Sequence, residues 1–174
     1  FPGVGSFSKG MEIIHSNGWY SILIKKIIHE KKKFLGICLG MQLLADFGLE
    51  FGKIKGLSII NGTVRRIDSI GCKQSIPHIG WNDIIINKNT QLFKHIDSDK
   101  NFYFIHSFHA VTDEQYVVAK CNYGINFTAA VWKGNIYGTQ FHPERSHMDG
   151  LSILNNYFNI IRKRNTFYSD ELFY

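Results

Sequence analysis

The sequence predicts an α/β domain with an antiparallel extension. Three observations carry this. The first fifty residues alternate helical and strand-like apolar patterns. Residues 57 to 141 hold a series of short, β-branched and aromatic segments. The pattern then closes on an amphipathic helix. The chain has 174 residues, 44% hydrophobic and 20% charged, which suits one domain able to bury a core without disulfides.

Phe1 to Ser8 reads as a glycine-rich loop at the end of a strand. From Gly10 to Lys33 the residues Met11, Ile14, Trp19, Ile22, Leu23 and Ile27 recur at helical spacing. Phe34-Leu35-Gly36-Ile37 is a short apolar run that suits a buried strand. Leu39 to Phe47 has a helical pattern, with Gly48 as its stop. Leu57–Ile60 and Thr63–Ile67 flank Asn61-Gly62, a hairpin signal. Residues Trp81–Asn87, Phe102–Val111, Tyr116–Asn122, Thr128–Trp132 and Ile136–Phe141 read as strands. Asp149 to Lys163 carries Leu151, Leu154, Tyr157, Phe158 and Ile161 on one helical face.

Composition excludes several classes. The net charge of +6 is dispersed, with Lys31-Lys32-Lys33 as the tight run. That is a solvated helix end rather than a nucleic-acid stripe. Cys38, Cys72 and Cys121 are three and widely spaced, unlike a disulfide framework or a cysteine zinc site. A reducing compartment fits, and a cytoplasmic location is expected. No apolar run reaches the ~20 residues of a membrane span, so neither a membrane nor a nucleic acid is expected as partner. His106, His109 and His142 lack an accompanying carboxylate or cysteine set, so no metal site and no cofactor is expected.

One constellation carries chemistry. Cys38 sits in Gly36-Ile37-Cys38-Leu39-Gly40, between the predicted strand and helix. This has the form of a nucleophile elbow with Cys in place of Ser. Small flanking residues let a sharp turn pack closely, and the helix start favours a thiolate. The Leu39 N–H can serve as half of an oxyanion hole. A lone free cysteine is more often a core residue, so the elbow needs a partner. Gly138-Thr139-Gln140-Phe141-His142-Pro143-Glu144 supplies it. If the segment stays extended, His142 and Glu144 point to one side. The imidazole then acts as base toward the thiol, and the carboxylate orients the imidazole. His106 and Ser107 lie on a strand that could face either way, and an exposed Trp81 would suggest an interface anchor.

The segment Gly36-Ile37-Cys38-Leu39-Gly40-Met41-Gln42, joined to Phe141-His142-Pro143-Glu144, resembles the class I (triad) glutamine amidotransferases. Four further segments, Pro2–Phe7, Pro77–Asn82, Tyr103–Ser107 and Gly138–Ser146, resemble one branch of that family. Its members act as glutaminase subunits in imidazole glycerol phosphate synthesis. The resemblance implies a three-layer α/β sandwich with a mostly parallel central sheet plus antiparallel strands. It also implies a first β-α-β unit, absent here, of roughly 40–50 residues. Residues 1–174 then form a single glutamine amidotransferase domain lacking that unit.

By the same resemblance Cys38, His142 and Glu144 are catalytic. Leu39 and the Gly3-Val4-Gly5 strand stabilise the oxyanion, and the strand reorients when the partner docks. Gln42, Ser107 and Phe108 hold glutamine, with Phe108 standing where Tyr is frequent. Trp81 and Asn82 face the partner, a separate (β/α)8-barrel cyclase that receives the ammonia in a heterodimer. The product belongs to histidine biosynthesis. Three other readings stay open. One is a paralogue supplying ammonia for amidation of an acetamido sugar in surface-polysaccharide synthesis. Another is a binding subunit that is catalytically inactive. There also remains a generic cysteine hydrolase, without a recognisable specificity pocket.

Overall fold

Phe34 to Cys38 is buried at every position, and the fold is assembled around that strand. The computed structural model describes residues 1–98 and 100–162. The chain begins with β1 (Pro2–Gly3), α1 (Phe7–Ser16) and α2 (Trp19–Ile24), the last extended by a π turn over Lys25–His29. Then come β2 (Phe34–Cys38), α3 (Leu39–Gln42), β3 (Phe47–Gly48), β4 (Ile54–Lys55) and β5 (Gly62–Arg66). The strands β6 (His78–Ile86), β7 (Asn101–His106), β8 (Phe108–Thr112), β9 (Val117–Asn122), β10 (Asn126–Lys133) and β11 (Ile136–Thr139) follow. Helix α4 (His147–Arg162) ends the described chain. Lys163, the expected last residue of that helix, lies outside the described residues.

The larger sheet has seven strands in the order β1-β2-β11-β10-β9-β6-β7, and a smaller one runs β4-β3-β5-β8. Strand β2 alternates between two cores. Phe34 joins Ile136, Val131 and the apolar faces of α1 and α3 on one side. Leu35 and Ile37 join Phe102, Phe104, Phe127, Phe141 and Ile153 of α4 on the other. Both sheet faces are therefore covered around β2, and the layers are helices with the small sheet, the large sheet, and α4. The expected α/β sandwich is present. Within the larger sheet, parallel pairing among the described residues joins β1 to β2 and β11 to β2, while β10, β9, β6 and β7 continue it antiparallel. The physical reason lies in the connections: β9, β10 and β11 follow one another through links too short for a parallel crossover.

Four sequence expectations are corrected. The Gly10–Lys33 helix starts earlier, where the Ser6 hydroxyl accepts from Lys9 N–H at 3.3 Å, a side-chain N-cap. It also breaks at Asn17-Gly18, with Gly18 at φ 69°. The Leu39–Phe47 helix stops after Gln42, and Gly48 is a strand residue rather than a stop. A Cβ at Gly48 would come within 2.4 Å of the Phe7 ring, so close packing selects glycine there. The Asn61-Gly62 hairpin does not form. Leu57, Ile59 and Ile60 donate instead to the Leu43 and Leu44 carbonyls at the end of α3, and β5 pairs with β3 and β8. The Phe102–Val111 strand divides at Ser107, its halves belonging to different sheets.

Candidate active site

Cys38 ends β2 and precedes the first residue of α3, with φ 53° and ψ −110°. A non-glycine residue in this region is strained, and such strain gathers at functional turns. Two glycines make the turn possible. A Cβ on Gly36 would fall 2.5 Å from the Gly40 carbonyl oxygen, and one on Gly40 would fall 2.0 Å from the Phe1 carbonyl oxygen. The elbow expected from the sequence is thus present, and its glycines act through close backbone approach.

The Cys38 thiol is buried at 7% exposure. It donates to the Ile105 carbonyl at 3.9 Å and accepts from Gln140 Nε2 at 3.6 Å. Burial pushes its pKa up to about 11, and the Glu144 charge adds to this, while the Leu39 N–H and Gln140 pull it back. The resting group is a protonated thiol, which needs a base at the moment of attack.

His142 and Glu144 lie just past β11. The expected extended run ends at His142, because Pro143–Arg145 forms a 3-10 turn. That turn, rather than strand alternation, brings the Glu144 Oε1 to 2.6 Å from His142 Nδ1. Proline fixes its own φ and suits the first position of such a turn. Nδ1 donates to the carboxylate, leaving Nε2 as the basic nitrogen. His142 Nε2 is buried and has no hydrogen-bond partner among the described residues. The backbone around the ring is held firmly. His142 N–H donates to the Tyr103 carbonyl at 2.9 Å, and the His142 carbonyl accepts from the Ser146 hydroxyl at 2.6 Å.

A pocket of about 290 Å³ opens onto the sulfur, and Val4, Gly5, Leu39, Gln42, Ser107 and Phe108 line it. These are sequence-expected site residues from separate segments of the chain. Gly3 is not in the lining but sits opposite Cys38 in the parallel β1–β2 register. Gln42 donates from Nε2 to the Phe108 carbonyl at 2.8 Å and to Gln140 Oε1 at 3.0 Å. The backbone of Phe108 is thereby part of the pocket, whatever its ring carries. Two pocket residues escaped the sequence reading. Glu50 follows β3 in an irregular loop with no periodic pattern, and its Oε2 accepts from Phe7 N–H at 2.8 Å. Ile105 contributes the carbonyl beside the thiol.

Trp81 and Asn82 lie apart from this pocket, on β6. Strand alternation turns them opposite ways. Trp81 is exposed and stacks on His147 with ring centroids 4.6 Å apart. Asn82 is half-buried, and its amide meets His78 Nε2 at 2.7 Å.

With this geometry in place, the comparison with known proteins decides the family. Residues 1–161 match the family described as glutamine amidotransferase class-I. The chain belongs to it. It is 42% identical over 161 residues to the imidazole glycerol phosphate synthase subunit HisH of Geobacter sulfurreducens, covering 90% of this chain and 77% of that protein. It is 39% identical over 163 residues to the chloroplastic imidazole glycerol phosphate synthase hisHF of Arabidopsis thaliana, covering 91% of this chain and 27% of that one. Among solved structures, a glutamine amidotransferase from Thermotoga maritima superposes with a TM-score of 0.61 at 19% identity, covering 94% of this chain and 63% of that one. The likeness at that identity is one of fold. As a class I glutamine amidotransferase the chain is an enzyme.

Proposed function

We propose that this chain is the glutaminase subunit of an imidazole glycerol phosphate synthase. In this reading it hydrolyses glutamine through a Cys38 thioester and passes the ammonia to a (β/α)8-barrel cyclase. The observation that carries the reading is the elbow cysteine lining an amino-acid-sized pocket, with a carboxylate-oriented imidazole just past β11, the strand paired to β2. The names of the relatives favour imidazole glycerol phosphate synthesis over amidation of a sugar.

The steps follow from the groups present. Glutamine enters with its side-chain amide at Cys38, and the Glu50 carboxylate supplies a negative charge for the α-ammonium group. His142 Nε2 takes the thiol proton as Sγ attacks the amide carbon. The Leu39 N–H, with an N–H from the Gly3-Val4-Gly5 strand, receives the developing oxyanion. Imidazolium returns the proton to the amide nitrogen, the C–N bond breaks, and ammonia leaves. Water, deprotonated by the same nitrogen, then cleaves the thioester to glutamate and restores the thiol. Glu144 fixes the imidazole tautomer throughout. The exposed β6–β7 face with Ile79, Trp81 and Ile105, which meets the pocket only at Ile105, is where the cyclase would dock.

The test is glutamate release measured for this chain alone, and then with the cyclase and its nucleotide substrate. Slow release alone and strong stimulation by the cyclase are expected. Absence of glutamate in both mixtures would overturn the reading, and full turnover by the isolated chain would overturn the coupling.

A further inference from the structure

The hydrogen bonds around the Phe108 carbonyl have a definite direction. A carbonyl oxygen only accepts. Gln42 must therefore face it with Nε2, and does so at 2.8 Å. The same Nε2 donates to Gln140 Oε1 at 3.0 Å, so Gln140 turns its own amide N–H toward Cys38 Sγ at 3.6 Å. One backbone carbonyl thus decides that the nucleophile meets a donor.

The second donor to that carbonyl is His106, whose Nδ1 lies 2.9 Å away. A neutral His106 with its proton on Nδ1 has a lone pair on Nε2. His78 Nδ1 lies 3.1 Å from that nitrogen and must donate to it. His78 Nε2 is then an acceptor, and the Asn82 atom placed 2.7 Å from it is Oδ1, an acceptor as well. Asn82 completes the chain only by offering its N–H, half a turn of the amide about its axis. A doubly protonated His78 would be the other solution. Burial lowers the proton affinity of both rings, His106 to about 3, so the neutral solution stands. His78 is fully buried, stacked on Tyr123 at 4.0 Å and on Phe104 at 4.9 Å between centroids, which holds the ring in the required plane.

We propose that His78 and His106 are positioning residues. They join Asn82, next to the exposed Trp81 of β6, to the Phe108 carbonyl, and so couple the orientation of the glutamine pocket to the state of that outer face. The proposal rests on the glutaminase reading for its substrate. It adds a path by which contact at β6 reaches Gln42, Gln140 and the sulfur without passing through the oxyanion strand. Hydrogen-bonded chains of this kind act as a unit, since each donor sets the role of the next group.

The test has two arms. Long-range ¹⁵N–¹H spectra of the full chain at neutral pH are expected to show both His78 and His106 neutral with the proton on Nδ1. A proton on Nε2 of either ring, or a cationic His78, overturns the relay. In the complex with saturating cyclase, His78→Phe keeps the ring stack but removes both nitrogens. It is expected to raise KM for glutamine about tenfold, and Asn82→Ala about threefold, with kcat within twofold of the parent. Partial misfolding would lower kcat at constant KM, so an unchanged KM in both variants overturns the proposal. If His78→Phe fails to fold, Asn82→Ala and the parent spectra still decide. Should the parent release no glutamate, the glutaminase reading fails while the tautomers still judge the relay.

Discussion

Strands β2 and β6 belong to the same sheet and are built on opposite plans. β2 is buried at all five positions, flanked by parallel neighbours and covered on both faces. β6 alternates, with Ile79, Trp81 and Ile85 exposed and His78 and Ile84 buried. A strand covered on both faces can present chemistry only at its end, which is where Cys38 stands. A strand covered on one face presents a surface along its length. On the proposed function the two plans divide the labour between a reacting end and a docking face, and β7, which pairs with β6 and supplies the Ile105 carbonyl to the thiol, connects them.

The comparison can be broken most sharply at the strand end. Cys38→Ala should lower glutamate release about a thousandfold or more, while synthesis by the cyclase from added ammonium stays at the parent level. Loss of the ammonium-driven reaction as well would mean that Cys38 also shapes the docking face. The next effect concerns the antiparallel side. Burial first of all lowers His106 to about 3 and His109 to about 4, against about 6.5 in an unfolded chain. Between these values the unfolded chain binds more protons. The stabilisation is therefore complete above pH 6.5 and is lost as pH falls, down to about 4 for His109 and about 3 for His106. For two such groups it amounts to about 4 kcal/mol between pH 7.5 and 5. Urea midpoints at the two pH values measure it, and equal midpoints would contradict the burial of these rings as neutral groups.

Smaller effects sharpen the contrast. Gly36→Ala places a methyl group against the Gly40 carbonyl inside β2's tight turn and should cost about 1–3 kcal/mol in thermal or urea unfolding. A neutral result would show that the elbow has slack. Trp81→Ala, on the exposed plan, should change the stability of the free chain by less than about 0.5 kcal/mol. In titrations with the cyclase it should weaken docking about tenfold or more. Equal affinity would move the docking face away from β6.

What the sequence made legible follows the same division. The elbow announces itself because glycine, cysteine and glycine at that spacing answer a local steric demand, and β2 because an apolar run of that length has few other uses. His142 and Glu144 were legible as a pair, yet for a geometric reason that the 3-10 turn replaces. Glu50 was hidden because a loop carboxylate has no pattern, and only the fold brings it across to Val4 and Ser107. The division of the Phe102–Val111 run at Ser107 was equally hidden. Its residues favour strand throughout, and the switch between sheets is decided by partners distant in the chain, β6 for one half and β5 for the other. The Asn61-Gly62 signal failed in the same way, since Leu57, Ile59 and Ile60 donate to carbonyls at the end of α3 rather than to β5.

The backbone angles of Cys38 have a consequence for how such a protein can be lost or kept. At φ 53° and ψ −110° a side chain is a burden that glycine would not carry, on the order of 1–3 kcal/mol. Cys38→Gly should therefore melt at a higher temperature than the parent while releasing no glutamate. Selection for a stable fold alone would favour glycine over cysteine at this turn, so on the proposed function stability and reactivity pull position 38 in opposite directions.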